Sequence, residues 1–359
     1  MGMNMRKYKI VKEYIKSLVK KKNLGEDDKI PSEHHLAAEC QVSRNTVRKA
    51  ISEMTNEGYL YTRHGVGTFV NTQKQPTQNI GIVTTYIDDY IFPSVIRGMT
   101  SCFSAKNYSI ILANTDNNLK KEKNILTNML AKDIAGIIIE PSKSSFYPDN
   151  IELYNKYIQR NIPLLLIHGY HKGFDFPYLI MDDIKGGYLI TEHLIKRGHR
   201  NIIGIFKNDD IQGINRSKGF LTALKDYDIS IEENSLYWFH TEDRQKKPVH
   251  IIKNIIKQNK NIPTAIICYN DQIAYNIINE IKNSGLKVPE EISVTGYDDS
   301  FLAKACNPAI TTIAHPKKEF GNKAAQFLLK MIDNPEKIFR KKIKPQLITR
   351  CSVATHTGR

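Results

Sequence analysis

The sequence has little of what staples, inserts into membranes or catalyses. Five cysteines (Cys40, Cys102, Cys268, Cys306, Cys351) lie far apart in 359 residues, with no C-x-x-C pair. They fit no common zinc spacing, and an odd number does not suggest a disulfide framework. Buried thiols in a reducing compartment are therefore expected. No stretch approaches eighteen consecutive apolar residues, so no membrane span is expected. The opening MGMNMRKYKIVKEY lacks the apolar run of a signal peptide, which makes the cytoplasm the expected location. G-x-G-x-x-G, the P-loop, H-E-x-x-H and G-x-S-x-G are all missing. Acidic residues are also outnumbered, 37 against 52 Lys and Arg, for a net charge of +15. That excess favours a polyanionic partner, nucleic acid ahead of a membrane. The remaining composition, 41% hydrophobic and 25% charged, is ordinary for a globular protein.

What is present changes character near residue 75. Before it the pattern reads helix, helix, helix, hairpin. Tyr8 to Val19 places Ile10, Val11, Tyr14, Ile15 and Leu18 on one helical face. Ser32–Cys40 and Thr46–Asn56 form two shorter helices around Gln41-Val42-Ser43. Tyr59–Tyr61 and Thr68–Val70 then flank His64-Gly65-Val66-Gly67, a glycine-bearing hairpin tip. The polar run Asn71–Asn79 contains Pro76 and has no periodicity, so it reads as a linker. The expected division is residues 1–71 for the first domain, 72–78 for the linker and 79–359 for the second.

From Ile80 onward short apolar strands alternate with helices. Strands are expected at Ile80–Thr84, Ser109–Ala113, Gly136–Ile139, Pro163–Ile167, Tyr178–Met181, Ile202–Phe206, Leu236–His240, Ala265–Cys268 and Ser293–Gly296. Near-continuous apolar strands between amphipathic helices indicate parallel sheets covered on both faces. So many exceed one comfortable sheet. The fold class is α/β, a small winged helix-turn-helix domain plus a two-lobed domain whose ligand sits between strand ends.

In the first domain Ser43 is placed to cap the third helix, accepting from a backbone N–H near Thr46. Arg44, Asn45, Arg48 and Lys49 crowd its first turns, while Val47, Ile51 and Met54 face the core. A helix basic in front and apolar behind suits the major groove, where Arg reads guanine and Asn reads adenine. Glu33, opening the preceding helix, is suited to accept from a cytosine amino group. His64 and the glycines of the hairpin tip permit close approach to the minor groove or to phosphates. Such a basic helix alone is more often a solvated face. The cap, basic turn, apolar rear and wing together argue otherwise.

Residues 6–70 resemble the GntR-type winged helix: I-P-S-E at Ile30–Glu33, V-S-R-N-T-V-R at Val42–Arg48 and H-G-V-G-T-F-V at His64–Val70. The resemblance implies double-stranded operator DNA as partner, with Glu33, His34, Arg44, Asn45, Arg48, His64 and Gly65 in contact. His34 departs from the Arg that many members carry there.

The strand ends of the second domain carry sugar-binding chemistry. Sugar hydroxyls each donate and accept around a C–H face, so a site needs carboxylates, amides, a cation and an aromatic platform. Tyr86, Tyr90 and Phe92 follow the first strand, Glu140 the third, His168 the fourth and Asp182 the next. Lys207 and Arg216 flank a later loop, and Asn270, Asp271 and Asp298 follow two further strands. Asp271 reads equally as a helix cap, and Arg216 as a helix-start ion-pair partner.

Residues 79–355 resemble the LacI or periplasmic sugar-binding type of effector domain. The matching stretches are NIGIV (Asn79–Val83), LIKRGHRNIIG (Leu194–Gly204), ICYNDQ (Ile267–Gln272), VPEEISVTGYDD (Val288–Asp299) and TTIAHPKKEFGNKA (Thr311–Ala324). In that family Phe92, Arg216, Asn270 and Asp298 occupy cleft-lining positions. A GntR head on a LacI-like body is similar to the arabinose-responsive repressors, as are TTYIDDYIFPSVIRGM (Thr84–Met99) and GIFKNDDIQGINRSKGF (Gly204–Phe220). This resemblance implies a homodimeric repressor released from DNA by L-arabinose, without cofactor or metal. Two alternatives stay open: a regulator of the same architecture answering another sugar or nucleoside, and a sugar-acting enzyme. Adjacent acids on an extended strand point to opposite faces, so Asp182–Asp183 and Asp298–Asp299 are not expected to converge as an acid–base pair.

Overall fold

The computed structural model describes residues 7–71, 78–88, 90–259 and 261–357. The chain divides into two compact units, Met1–Thr77 and Gln78–Arg359. Most of the expected linker, residues 72–77, lies outside the described residues. Gln78 is described, and its carbonyl accepts from the Ser109 N–H at 2.6 Å.

The first unit runs α1 (Lys7–Lys21), α2 (Glu33–Glu39), α3 (Arg44–Asn56), β1 (Leu60–Arg63) and β2 (Gly67–Val70). Val11, Ile15 and Leu18 line the buried stripe of α1, whereas Ile10 is 43% exposed, so the stripe is narrower than its periodicity suggests. Leu36 from α2 and Val47, Ala50, Ile51 and Met54 from α3 complete one core with Leu60 and Val70. Each such buried aliphatic side chain stabilises the unit by about 1.5–3 kcal/mol. β1 and β2 pair antiparallel from Leu60↔Val70 to Arg63↔Gly67. Between them Gly65 has φ +73°, a left-handed conformation that other residues adopt at a cost.

The second unit opens with β3 (Asn79–Thr84), α4 (Phe92–Ser104), β4 (Ser109–Asn114), α5 (Leu119–Leu130), β5 (Gly136–Ile139), α6 (Ile151–Gln159), β6 (Leu164–Ile167) and β7 (Tyr178–Met181). α7 (Asp183–Lys196), β8 (Ile202–Lys207), α8 (Ile211–Asp226), β9 (Leu236–Phe239), α9 (Lys247–Gln258), β10 (Ala265–Cys268), α10 (Asp271–Asn283), β11 (Ser293–Thr295) and α11 (Phe301–Ala305) follow. The chain ends with β12 (Thr312–Ala314), α12 (Lys317–Asp333), β13 (Arg340–Ile343) and β14 (Gln346–Ile348).

Two parallel sheets result, ordered β13-β7-β6-β5-β3-β4 and β11-β10-β8-β9. All but the edge strands read as apolar runs because helices cover both faces; β5, β6 and β10 are buried throughout. The chain passes between the lobes after β7, between β12 and α12, and between β13 and β14, which pairs antiparallel with β12. α12 thereby returns to the first lobe and packs on α4. In the second lobe α7 and α8 lie so close that a Cβ on Gly187 would stand 2.2 Å from the Arg216 carbonyl oxygen. That approach holds the Arg216 backbone against α7, beside the cleft.

The cysteines are free, but the expectation of five buried thiols fails. Cys268 and Cys306 are buried, Cys40 and Cys102 half-buried, and Cys351 exposed. Among the described residues no helix is long and apolar enough to cross a membrane, and no cluster of three metal-ligating side chains occurs.

Candidate functional site

On α3, Ser43 is the N-cap, its hydroxyl accepting from Thr46 N–H at 3.3 Å. The helix begins at Arg44, two residues before the expected start. Arg44, Asn45 and Arg48 are exposed, and Val47 on the rear face is fully buried. Arg44 Nη2 lies 2.9 Å from His34 Nδ1, and Arg48 Nε donates to Glu33 Oε2 at 2.8 Å. The four side chains form two exposed pairs bridging α2 and α3. Lys49 stands apart: its ammonium lies 5.0 Å from the Tyr8 ring, against α1. His64 and Gly65 are exposed at the wing tip. Arg63, not singled out from the sequence, lies on the same hairpin with its guanidinium 5.2 Å from the Phe69 ring. Its only signal was a basic residue next to the tip.

The cleft of the second unit is built at the carboxyl ends of both sheets. Tyr86, Tyr90, Phe92, Glu140, His168, Lys207, Arg216, Asn270 and Asp298 all line it. The sequence did not single out Asn117, Asp210, Gln212, Arg244, Tyr269 or Gln272, which line it too. Gln212 and Gln272 occupy first helical turns, where polar residues also occur for capping alone. The cleft has a volume of about 120 Å³. One water needs ~10–15 Å³ on that measure, so the room suits a molecule on the order of ten non-hydrogen atoms.

Two expected contacts fall outside the cleft. Asp182 is the N-cap of α7, its Oδ1 accepting from Lys185 N–H at 3.2 Å, which turns it to the helix end. Asp271 is buried behind the cleft, accepting from Ser300 N–H at 2.7 Å and from the Thr312 hydroxyl at 2.6 Å. Nor is Asp271 the helix cap. That role belongs to Asn270, whose Oδ1 accepts from Ile273 N–H at 3.0 Å. Asp210 caps α8 in the same way, so two helix N-termini face the cleft.

Charge in the cleft is internally paired. Arg216, 2% exposed, donates from Nε to Asp183 at 2.9 Å and holds Asp298 Oδ1 3.6 Å from Nη2. Its guanidinium lies 3.6 Å from the Tyr297 ring centre. Both expected readings of Arg216 therefore coexist, cleft lining and ion pairing. Burial pushes the Asp183 carboxyl up to about 6 despite Arg216. Burial and the neighbouring Asp298 charge push Asp271 up to about 7. Lys207 lies 3.0 Å from Asp210 and 3.3 Å from Asp209. Burial opposes the Lys207 charge, yet these carboxylates raise its pKa above the usual lysine range. Burial alone would raise Asp209, but Lys207 and Lys143 bring it down to about 2. The Asp182–Asp183 doublet diverges, but at a helix start and not along a strand: Asp182 caps α7 while Asp183 meets Arg216.

Bonds between the lobes close the cleft. Asn117 Nδ2 donates to the Thr241 hydroxyl at 2.6 Å, Ser145 to the Asn208 carbonyl at 2.6 Å, and Lys143 reaches Asp209 and Glu242 at 2.6 and 2.7 Å. The Tyr90 hydroxyl lies 2.9 Å from Asp298 Oδ2 and 2.8 Å from the Tyr297 carbonyl. Within this closed space Tyr86 Oη, His168 Nε2 and Asp298 Oδ1 are buried without a hydrogen-bond partner. For Asp298 the 3.6 Å approach of Arg216 is electrostatic and too long for a hydrogen bond. Buried polar atoms are rarely left unpaired, and these three belong to residues that line the cleft.

A winged helix-turn-helix head joined to a body of two parallel-sheet lobes is the architecture of a transcriptional repressor, not of an enzyme. Residues 7–70 match the bacterial regulatory proteins of the gntR family, and residues 191–353 match the periplasmic binding protein-like domain. The chain is 41% identical over 339 residues to the arabinose metabolism transcriptional repressor of Halalkalibacterium halodurans, covering 92% of this chain and 90% of that one. It is 40% identical over 353 residues to the arabinose metabolism transcriptional repressor of Geobacillus stearothermophilus, covering 96% and 97%. Its structure is similar to a LacI family transcriptional regulator from Enterococcus faecium with bound ribose, with a TM-score of 0.67 and 25% identity over 78% of this chain and 100% of that one. The chain belongs to the family of arabinose metabolism transcriptional repressors.

Proposed function

We propose that the protein represses arabinose-utilisation genes in the cytoplasm and leaves operator DNA when L-arabinose fills its cleft. The observation that carries this reading is the closed, charge-paired cleft with its buried partnerless atoms at Tyr86, His168 and Asp298. Arg216 and Lys207 are each neutralised by carboxylates. An uncharged polyol therefore fits better than a phosphorylated or acidic sugar, whose added charge would sit buried beside Asp298 and Asp210. The family supplies the choice of pentose.

In this reading the ring of Phe92 faces the C–H surface of the sugar, while Arg216, Asn270, Asp298, Lys207 and His168 bond its hydroxyls. On DNA, Arg44, Asn45, Arg48 and Glu33 read base edges, and His34, Ser43, Lys49, His64 and Gly65 position the head on the backbone. Two heads of a homodimer would bind half-sites one helical turn apart, about 34 Å. For release, the sugar must favour the arrangement that binds DNA poorly, by a coupling of about 1–3 kcal/mol.

The test is calorimetric titration of the full chain with L-arabinose, D-xylose, D-ribose, D-galactose and a purine nucleoside. Saturable binding of L-arabinose alone is expected. Tighter binding of another ligand would leave the repressor class standing and remove the arabinose assignment.

A further inference from the structure

Glu140 lines the cleft, yet both its oxygens are already engaged. Oε2 accepts from the backbone N–H of Thr85 at 2.9 Å and from the Thr85 hydroxyl at 2.8 Å. Oε1 faces His168 Nδ1 at 3.2 Å. His168 is 2% exposed, stacked at 4.7 Å on Phe320, with Phe92 and His315 at its edges. Its ring is thus held on several sides, while Nε2 is buried without a partner. A carboxylate opposite Nδ1 selects the tautomer that carries its proton there, because that N–H donates to the carboxylate. Nε2 is then a lone pair.

We infer that Glu140 is a positioning residue and not a ligand contact: it fixes the His168 tautomer so that Nε2 accepts from a ligand hydroxyl. This deepens the sugar reading and rests on it. The arrangement makes His168 a determinant of specificity. A ligand carrying a hydroxyl there satisfies the buried lone pair, whereas a fluoride, an ether or a bare carbon leaves it unpaired.

Glu140→Gln tests this with almost no change of shape. Thr85 N–H is a donor only, so the glutamine oxygen must take its place opposite Thr85. Its NH2 then faces His168 Nδ1 and donates to it, which drives the imidazole proton to Nε2. Nε2 changes from acceptor to donor.

Two readouts on the full chain decide the matter. In ¹⁵N spectra of the ligand-free protein, with His168 assigned through His168→Gln, wild type is expected to show a protonated Nδ1 and a bare Nε2, and Glu140→Gln the reverse. In titrations with L-arabinose and its monodeoxyfluoro analogues, wild type is expected to lose about 10- to 100-fold affinity when the hydroxyl that meets His168 is replaced, besides any loss at the other bonded positions. Glu140→Gln is expected to bind L-arabinose about 10- to 100-fold more weakly and to lose that positional penalty. A doubly protonated His168, the same tautomer in both proteins, or an unchanged analogue profile in the variant would overturn the inference. Failure of wild type to bind L-arabinose would strike the effector assignment instead, and the spectra of the empty protein would still decide the tautomer.

Discussion

The two working surfaces use the same ionic groups in opposite ways. On the head, Arg48–Glu33 and Arg44–His34 are exposed, with Arg48 at 64% and Glu33 at 38% side-chain exposure. In the cleft, the Arg216–Asp183 pair is 2% exposed on both sides. An exposed pair contributes about 0–1 kcal/mol and exchanges its partner readily. Removing one member of a buried pair leaves a desolvated charge and costs about 3–5 kcal/mol. The difference suits two kinds of ligand. On the proposed function, DNA brings its own dense charge, for which exposed cations are free to exchange their partners. The proposed neutral sugar brings none, which fits a cleft whose charges are already paired.

Removing the central cation on each side separates the two surfaces most strongly. Arg216→Ala exposes Asp183 and Asp298 to each other without a guanidinium, and is expected to destabilise the second unit by about 3–5 kcal/mol. Sugar binding should disappear as well. Chemical denaturation monitored by circular dichroism measures the first effect and calorimetry the second. Arg48→Ala should change stability by less than about 0.5 kcal/mol. It should cost about 1–3 kcal/mol of discrimination at one operator base pair, read by competition between operator variants, with sugar affinity unchanged. Equal loss of DNA and sugar binding in Arg48→Ala would end the division of labour.

A smaller effect lies in pH. Asp271 titrates at about 7 and Asp183 at about 6 in the fold, above the ordinary aspartate value of 3.8. For both, the folded state holds the proton more tightly than the unfolded chain. The stability each contributes is complete below the unfolded value and is lost as pH rises through 6 and 7. Thermal denaturation of wild type should therefore show a component that weakens across this window. Asp271→Asn should flatten the upper part of that slope. An unchanged slope would show that Asp271 does not hold its proton.

Much of the fold was legible because parallel strands buried on both faces announce themselves as apolar runs. Strands such as Gly136–Ile139, Tyr178–Met181 and Ala265–Cys268 lie where the sequence placed them. β13 was not foreseen, because it reads Arg-Lys-Lys-Ile and sits at an exposed sheet edge, where charge is tolerated and protects against pairing. β12 and β14 are three residues each, too short for any period to show. Periodicity also gave no sign that α12 returns to the first lobe, since that depends on crossings near His315 and Lys344. The cleft was legible where strand ends carry polar side chains that line it, as at His168 and Lys207. It failed at Asp182 and Asp271, where the same location serves a helix end or a buried turn. Asp210 was hidden for the converse reason: it resembles a simple cap, and is one, while also facing the ligand space.

The most direct test of the account is operator binding by the full chain, followed by fluorescence anisotropy with and without saturating L-arabinose. The sugar is expected to weaken operator affinity by about 5- to 150-fold, and operator DNA to weaken sugar affinity by the same factor. Operator affinity unchanged or strengthened by L-arabinose would contradict it.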